Sequence, residues 1–299
     1  GDVSGGLFDL VADDLMLPDE VAVSVEFAGR VAGSDEAHRG VVDLLRLSHS
    51  SPDLDAAPVR WELPELRLDV HPSHAELWAG SLDVANASDF LSEALRGLER
   101  PSRWLRALNA DATALNVRAR VEWPELKVGF AASLADLDLD GYRGAPYMRG
   151  GAGELIGFRR GVQFSLNSQN LALRFPDTFT DAWQLAYAQG VVQLWAKDGY
   201  LGLRGPEIQW RTATHRMAGG FSITRPEDRS EERLTLLIAL DEVDLDQARS
   251  YVPYTLAEGL RRWLAEGPRE GTLVAPRFAL HGHMHGKPGE RHRRVELSS

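Results

Sequence analysis

Three stretches of the chain hold residue types whose spacing suits chemistry at a metal or a modification. Asp136, Asp138, Asp140 and Gly141 imitate the start of a calcium-binding loop, in which carboxylates at positions 1, 3 and 5 precede an obligatory glycine. Position 12 of that loop falls on Tyr147, where a bidentate glutamate is needed, and Leu134, Leu137 and Leu139 equally suit the end of a strand. A solvated acidic edge is therefore the expected reading. His281, His283 and His285 lie two apart, which on a strand aims three imidazoles to one side, and two of them could ligate zinc. Neither a carboxylate nor a cysteine completes that set at ligand spacing. The alternation with Phe278, Leu280 and Met284 already explains the histidines as the polar side of a strand. Asn86-Ala87-Ser88 has the pattern of a glycosylation sequon, placed where it would cap a helix. Nucleophile elbows, phosphate loops and His-Glu-x-x-His pairs are missing. Paired carboxylates for glycoside chemistry cannot be singled out among 44 acidic residues. The expectation is a chain with no catalytic residue, no metal and no cofactor.

Composition narrows the partners. The 299 residues carry 33 basic and 44 acidic side chains, a net charge of -11, which argues against a nucleic-acid groove because phosphate contacts need clustered Lys and Arg. The basic run from Lys287 to Arg294 reads as a solvated tail. With no cysteine there is no disulfide framework and no thiolate site, which permits an oxidising compartment without requiring one. No apolar run approaches the roughly 20 residues that span a bilayer. A start at Gly1 rather than Met reads as an excised fragment or a processed product, from which any anchor or targeting signal would be missing.

The elements that must position these residues are mostly strands. The organising stretch is Leu234 to Leu264. Leu234, Leu236, Ile238 and Leu240 fall two apart and share one sheet face, while Thr235, Leu237 and Ala239 take the other. An acidic corner from Asp241 to Asp246 follows. A helix starting at Thr255 and Glu258 then carries Leu256, Leu260, Trp263 and Leu264 as one apolar stripe. A fainter version runs from Val84 to Leu105, with a helix over Ser88 to Leu98.

Earlier strands alternate as well, and one hairpin is expected at Asn167 to Asn170, between Val162, Phe164 and Leu166 and the returning Leu171, Leu173 and Phe175. A second turns on Asp198-Gly199 and pairs Leu194 with Leu203 and Ala196 with Leu201, leaving Trp195 and Gly202 on the opposite face. The string Glu62-Leu63-Pro64-Glu65-Leu66-Arg67-Leu68 recurs as Glu122-Trp123-Pro124-Glu125-Leu126-Lys127-Val128, and more briefly at Pro206-Glu207-Ile208-Gln209-Trp210. It reads as one strand entry, opened by proline, used three times. The expected organisation is a first sheet-plus-helix module over residues 1–140, a glycine-rich connection over 141–161, a second module over 162–286 and a polar basic tail over 287–299. The eight tryptophans are spread over both modules, either filling the core or meeting a ligand.

The run Asp246 to Leu264, with Tyr251, Val252 and Pro253 ahead of Leu260, Trp263 and Leu264, followed by Gly271, resembles a recurring segment of the YhdP family of AsmA-like proteins. Leu137 to Pro146, Leu166 to Pro176 and Gln189 to Gly205 follow the same family's central region, so the likeness covers nearly all of residues 60–285. The resemblance implies a bridge-like lipid transfer protein of the bacterial envelope. It would be mainly β with short helices, a long, curled antiparallel sheet (a β-taco or groove) with amphipathic helices packed on or in it. It would sit in the periplasm, tethered to the inner membrane by a segment outside this chain. Its partners would be phospholipid, the rest of the full-length protein and the inner and outer membranes.

On that reading a hydrophobic groove carries phospholipid acyl chains between the membranes, at roughly 0.8 kcal/mol per buried methylene. Its lining would be Leu66, Leu68, Leu126, Val128, Phe164, Leu166, Leu171, Leu173, Leu194, Leu201, Leu203, Ile208, Trp210, Leu234, Leu236, Ile238, Leu240, Trp263, Phe278 and Leu280. A carbohydrate-binding or hydrolysing β-protein and a structural envelope scaffold without a ligand groove are the alternative expectations.

Overall fold

A computed structural model describes residues 4–17, 21–34, 37–49, 59–94, 106–125, 127–141, 146–158, 161–176, 179–197, 200–226, 231–248, 251, 258–259, 262, 266–267, 270–283 and 293–298. The chain divides into two compact units, Gly1–Tyr142 with Leu155–Arg159, and Arg143–Glu154 with Arg160–Ser299.

In the first unit the strands are β1 (Ser4–Leu17), β2 (Val21–Ser34), β3 (Ala37–His49), β4 (Val59–Val70), β5 (His74–Asp83), β6 (Asp111–Glu122) and β7 (Lys127–Leu139). Each pairs antiparallel with its sequence neighbour. Helix α1 (Val84–Ala94) interrupts the series and lies against β4 and β6. It begins four residues before the expected Ser88. The carboxylate of Asp83 accepts the backbone N–H of Asn86 at 2.9 Å, so Asp83 is the cap and the sequon lies inside the first turns, with Ser88 buried. The core of this unit gathers Val42, Leu63, Leu66 and Ala79, with Leu45, Leu77, Leu82 and Val117 packed against them.

Strand β8 (Tyr147–Phe158) occupies the glycine-rich stretch. The second unit continues with β9 (Gly161–Arg174), β10 (Trp183–Lys197), β11 (Tyr200–Arg211), β12 (Arg216–Arg225), β13 (Arg233–Leu240), β16 (Arg277–His283) and β17 (Arg293–Ser298), again in antiparallel succession. A small two-stranded sheet, β14 (Glu242–Asp244) with β15 (Thr272–Val274), and the four-residue helix α2 (Leu245–Ala248) form the acidic corner, where Val243 is buried.

The hydrogen-bonded order of the 15-stranded main sheet is that of the chain, β1 to β13 and then β16 and β17. This corrects the expectation of a curled groove. Closure requires the first and last strands to pair, and here the ladder is open, each successive strand of the sheet being added at the previous edge.

Two local expectations also change. The stretch Asn167–Asn170 does not turn the chain; β9 is one 14-residue strand. Asn170 takes φ 57°, a left-handed residue inside an extended run, which asparagine tolerates better than most. Alternation slips there by one, so Leu166 and Leu171, an odd number apart, belong to the same core. The three proline strings are not one repeated strand entry. Pro64 lies inside β4 opposite Leu44, Pro124 in the turn after β6, and Pro206 at the register shift between Gly205 and Ile208, where a missing donor costs no ladder bond.

Candidate functional site

The register sorts side chains cleanly, because residues directly opposite on neighbouring strands share a face. In the second unit one face is apolar. Val162, Leu194, Leu203, Ile223 and Leu234 follow one another across β9 to β13. Beside them run Phe221, Leu236, Leu280 and Val295 across β12, β13, β16 and β17. A third row joins Ile208, Gly219, Ile238 and Phe278. Away from the deep core these side chains are half-buried, whereas Ile238 is fully packed.

One end of this face is closed by rings. Trp183 lies 5.4 Å from Phe175, 4.7 Å from Phe179 and 5.3 Å from Tyr251, centre to centre, and stacks at 6.4 Å on Trp210. Its indole N–H is buried without a hydrogen-bond partner. Tyr251 is held by buried His215, whose Nε2 stands 2.8 Å from the phenol oxygen and whose Nδ1 stands 2.9 Å from Thr214 Oγ1. Thr214 in turn donates to Gln247 Oε1 at 2.9 Å, tying α2 to the sheet. Burial pushes the imidazole down from its usual range and the phenol up. At the other end, Glu232 is fully buried and accepts Arg225 Nε at 2.8 Å.

The opposite face is polar and cross-linked. Gln193 Nε2 donates to Gln163 at 2.8 Å and its oxygen accepts Arg204 Nε at 2.8 Å. Thr235 Oγ1 meets His281 Nδ1 at 2.8 Å. The first unit has the same division with charges in place of amides. Arg46 joins Glu62 at 2.7 Å and also Glu26, and Arg120 joins Glu76 at 2.7 Å. Arg39 pairs with Asp69 at 2.9 Å and holds that carboxyl below the usual range. Arg67 lies 5.2 Å over the Trp78 ring.

Of the residues assigned to a groove, Leu166, Leu171 and Ile238 are buried in the second unit's core, with Phe164, Leu173, Trp210, Leu236 and Leu240 packed on them. Leu194, Leu201, Leu203, Ile208, Leu234, Phe278 and Leu280 share that apolar face by register. Leu66 and Leu68 belong to the first unit, where Leu66 is core and Val128 is 50% exposed. Leu126 and Trp263 lie outside the described residues, as do His285 and most of the helix expected after Thr255. The ladder of the main sheet is open, with β1 and β17 as its unpaired edges, and the expected passage of acyl chains through a hydrophobic groove is withdrawn.

The metal candidates do not assemble. Asp136 sits at φ 53° between buried Leu134 and Leu137, Asp140 accepts Asn109 Nδ2 at 3.0 Å, and His281 is engaged by Thr235. Among the described residues no three His, Asp or Glu side chains stand where they could hold an ion. Sequence reasoning missed the His215–Tyr251 link and the Arg225–Glu232 pair, since neither follows a spacing rule; only the isolated polar residues flanking apolar strands hinted at them.

A protein-family model described as YhdP protein matches residues 48–297. No curated protein and no solved structure matches the chain.

Proposed function

Because the chain belongs to the YhdP family, we propose that it is a non-enzymatic section of an envelope protein that serves lipid transport, working in the periplasm with phospholipid and the rest of its parent chain as partners. The observation that carries this reading is the separation of faces in the second unit. Polar side chains are bonded to one another across strands on one side, whereas Leu194, Leu203, Leu234, Leu236 and Leu280 stay half-buried on the other. Such a face suits an apolar partner laid against an open sheet, worth roughly 25 cal/mol per Å² covered. Attachment to the inner membrane belongs to the same proposal; no described helix is long and apolar enough to cross a bilayer.

The test replaces Leu203 and Leu236 by Asn in the parent protein and follows phospholipid delivery between the two membranes. Delivery should fall sharply while the protein accumulates to its normal level. Undiminished delivery by the folded double variant would overturn the reading.

A further inference from the structure

We infer that the polar face of the second unit carries a cationic strip that docks on anionic phospholipid headgroups. Strand register builds the strip from two adjacent rows. Gln193, Arg204, Ser222, Thr235, His281 and Arg294 stand opposite one another across five successive strand pairings. Next to them run Gly202, Thr224, Arg233 and His283. Three guanidinium groups, two imidazoles and three hydroxyls thus share one surface, the donor set that phosphate oxygens accept.

The strip is local, since the chain as a whole carries -11. Its arginines are also placed differently from those of the first unit. There Arg39, Arg46 and Arg120 each meet a carboxylate from a neighbouring strand, so those three charges are neutralised pair by pair. In the strip, Arg204 is exposed and held by an amide, Gln193, and by the ring of Trp195 at 5.3 Å, neither of which cancels its charge. Arg233 is exposed and flanked by Thr224 and His283 in its row. Arg294, whose side chain is 81% exposed, has one carboxylate, Glu296 on its own strand. An acidic protein is repelled by an anionic bilayer over most of its surface, so a patch of this kind also fixes which side approaches. The choice of a lipid headgroup over another polyanion rests on the function proposed above.

The experiment sediments the purified chain with phosphatidylcholine vesicles that contain or lack phosphatidylglycerol. Binding should require phosphatidylglycerol, weaken as salt is raised, and fall by roughly a hundredfold in the R204Q/R233Q/R294Q variant, at about fivefold per arginine. The variant's circular dichroism and melting temperature should match the parent's, because the three positions are surface residues. R204K/R233K/R294K should retain binding. Equal binding by the glutamine variant, or equal binding to vesicles of phosphatidylcholine alone, overturns the proposal. Competition by inorganic phosphate beyond that of chloride at the same ionic strength assigns a small-anion site and overturns the membrane assignment. None of these readouts involves Leu203 or Leu236, so failure here leaves the apolar-face reading standing, and the reverse also holds.

Discussion

The indole of Trp195 lies over Gly202, its partner on the neighbouring strand, so closely that a Cβ on the glycine would stand 2.1 Å from Cζ2. Phe130 covers Gly157 in the same way in the first unit, with a ring carbon 1.9 Å from the position a Cβ would take. These glycines are not weak points in their strands. Each leaves the space into which a neighbouring ring settles, and the ring supplies the packing that glycine lacks.

Gly202→Ala is therefore expected to destabilise the second unit by about 1–3 kcal/mol through overpacking. Gly80 is the contrast, because a Cβ there meets nothing within 4 Å. Gly80→Ala should stay within about 0.5 kcal/mol of the parent. Urea unfolding of both variants separates the two cases, and equal midpoints would show that Trp195 simply moves aside.

Much of the sheet was legible in advance because a two-residue period is a property of the strand itself. The pairing of Leu194 with Leu203 follows from counting outward from Asp198-Gly199, and the register agrees. The curl did not follow from pattern, since alternation fixes which side chain faces which way and is silent on whether the sheet's ends meet. The expected hairpin at Asn167–Asn170 failed for a related reason. A polar, turn-forming tetrapeptide and a strand with one left-handed residue look alike in sequence. Links such as His215 to Tyr251 depend on which loops the completed fold brings together, and no local spacing encodes them.

The His215 link gives a pH dependence. Burial lowers the folded-state pKa of this imidazole, so the native protein binds fewer protons than the unfolded chain once the pH drops below about 6.5, the ordinary histidine value. The stabilisation is complete above that pH and is lost as the pH falls towards the depressed folded value. The melting temperature should accordingly decline on mild acidification, and His215→Gln should flatten that decline while lowering the neutral-pH plateau. A variant whose profile parallels the parent's would place the titration elsewhere.

Arg225 and Glu232 should be separable by which partner is removed. Glu232 has no exposed surface, and Arg225→Met removes the guanidinium that meets its buried carboxylate, at a cost of about 3–5 kcal/mol. Arg225→Met with Glu232→Leu should recover most of that loss, because two apolar side chains then meet where two charges did. Chemical unfolding of the single and double variants makes the comparison. Equal destabilisation in both would mean that the pair acts through the shape of the turn between β12 and β13 rather than through its charge.

The left-handed residues make the last prediction, and the two units make it together. Asn170 at φ 57° and Asp136 at φ 53° each sit between core leucines an odd number of residues apart, Leu166 and Leu171 in one case, Leu134 and Leu137 in the other. In an unbroken strand such pairs would face opposite sides. A single residue turned into the left-handed region restores both leucines to one side without ending the strand. Asn170→Gly should keep this geometry and stay near parent stability, whereas Asn170→Val must pay for a β-branched side chain at positive φ, roughly 1–2 kcal/mol. Thermal unfolding ranks the three proteins as parent, glycine and valine. A valine variant as stable as the parent would mean that Leu166 and Leu171 reach their common core by a route that does not need the left-handed turn.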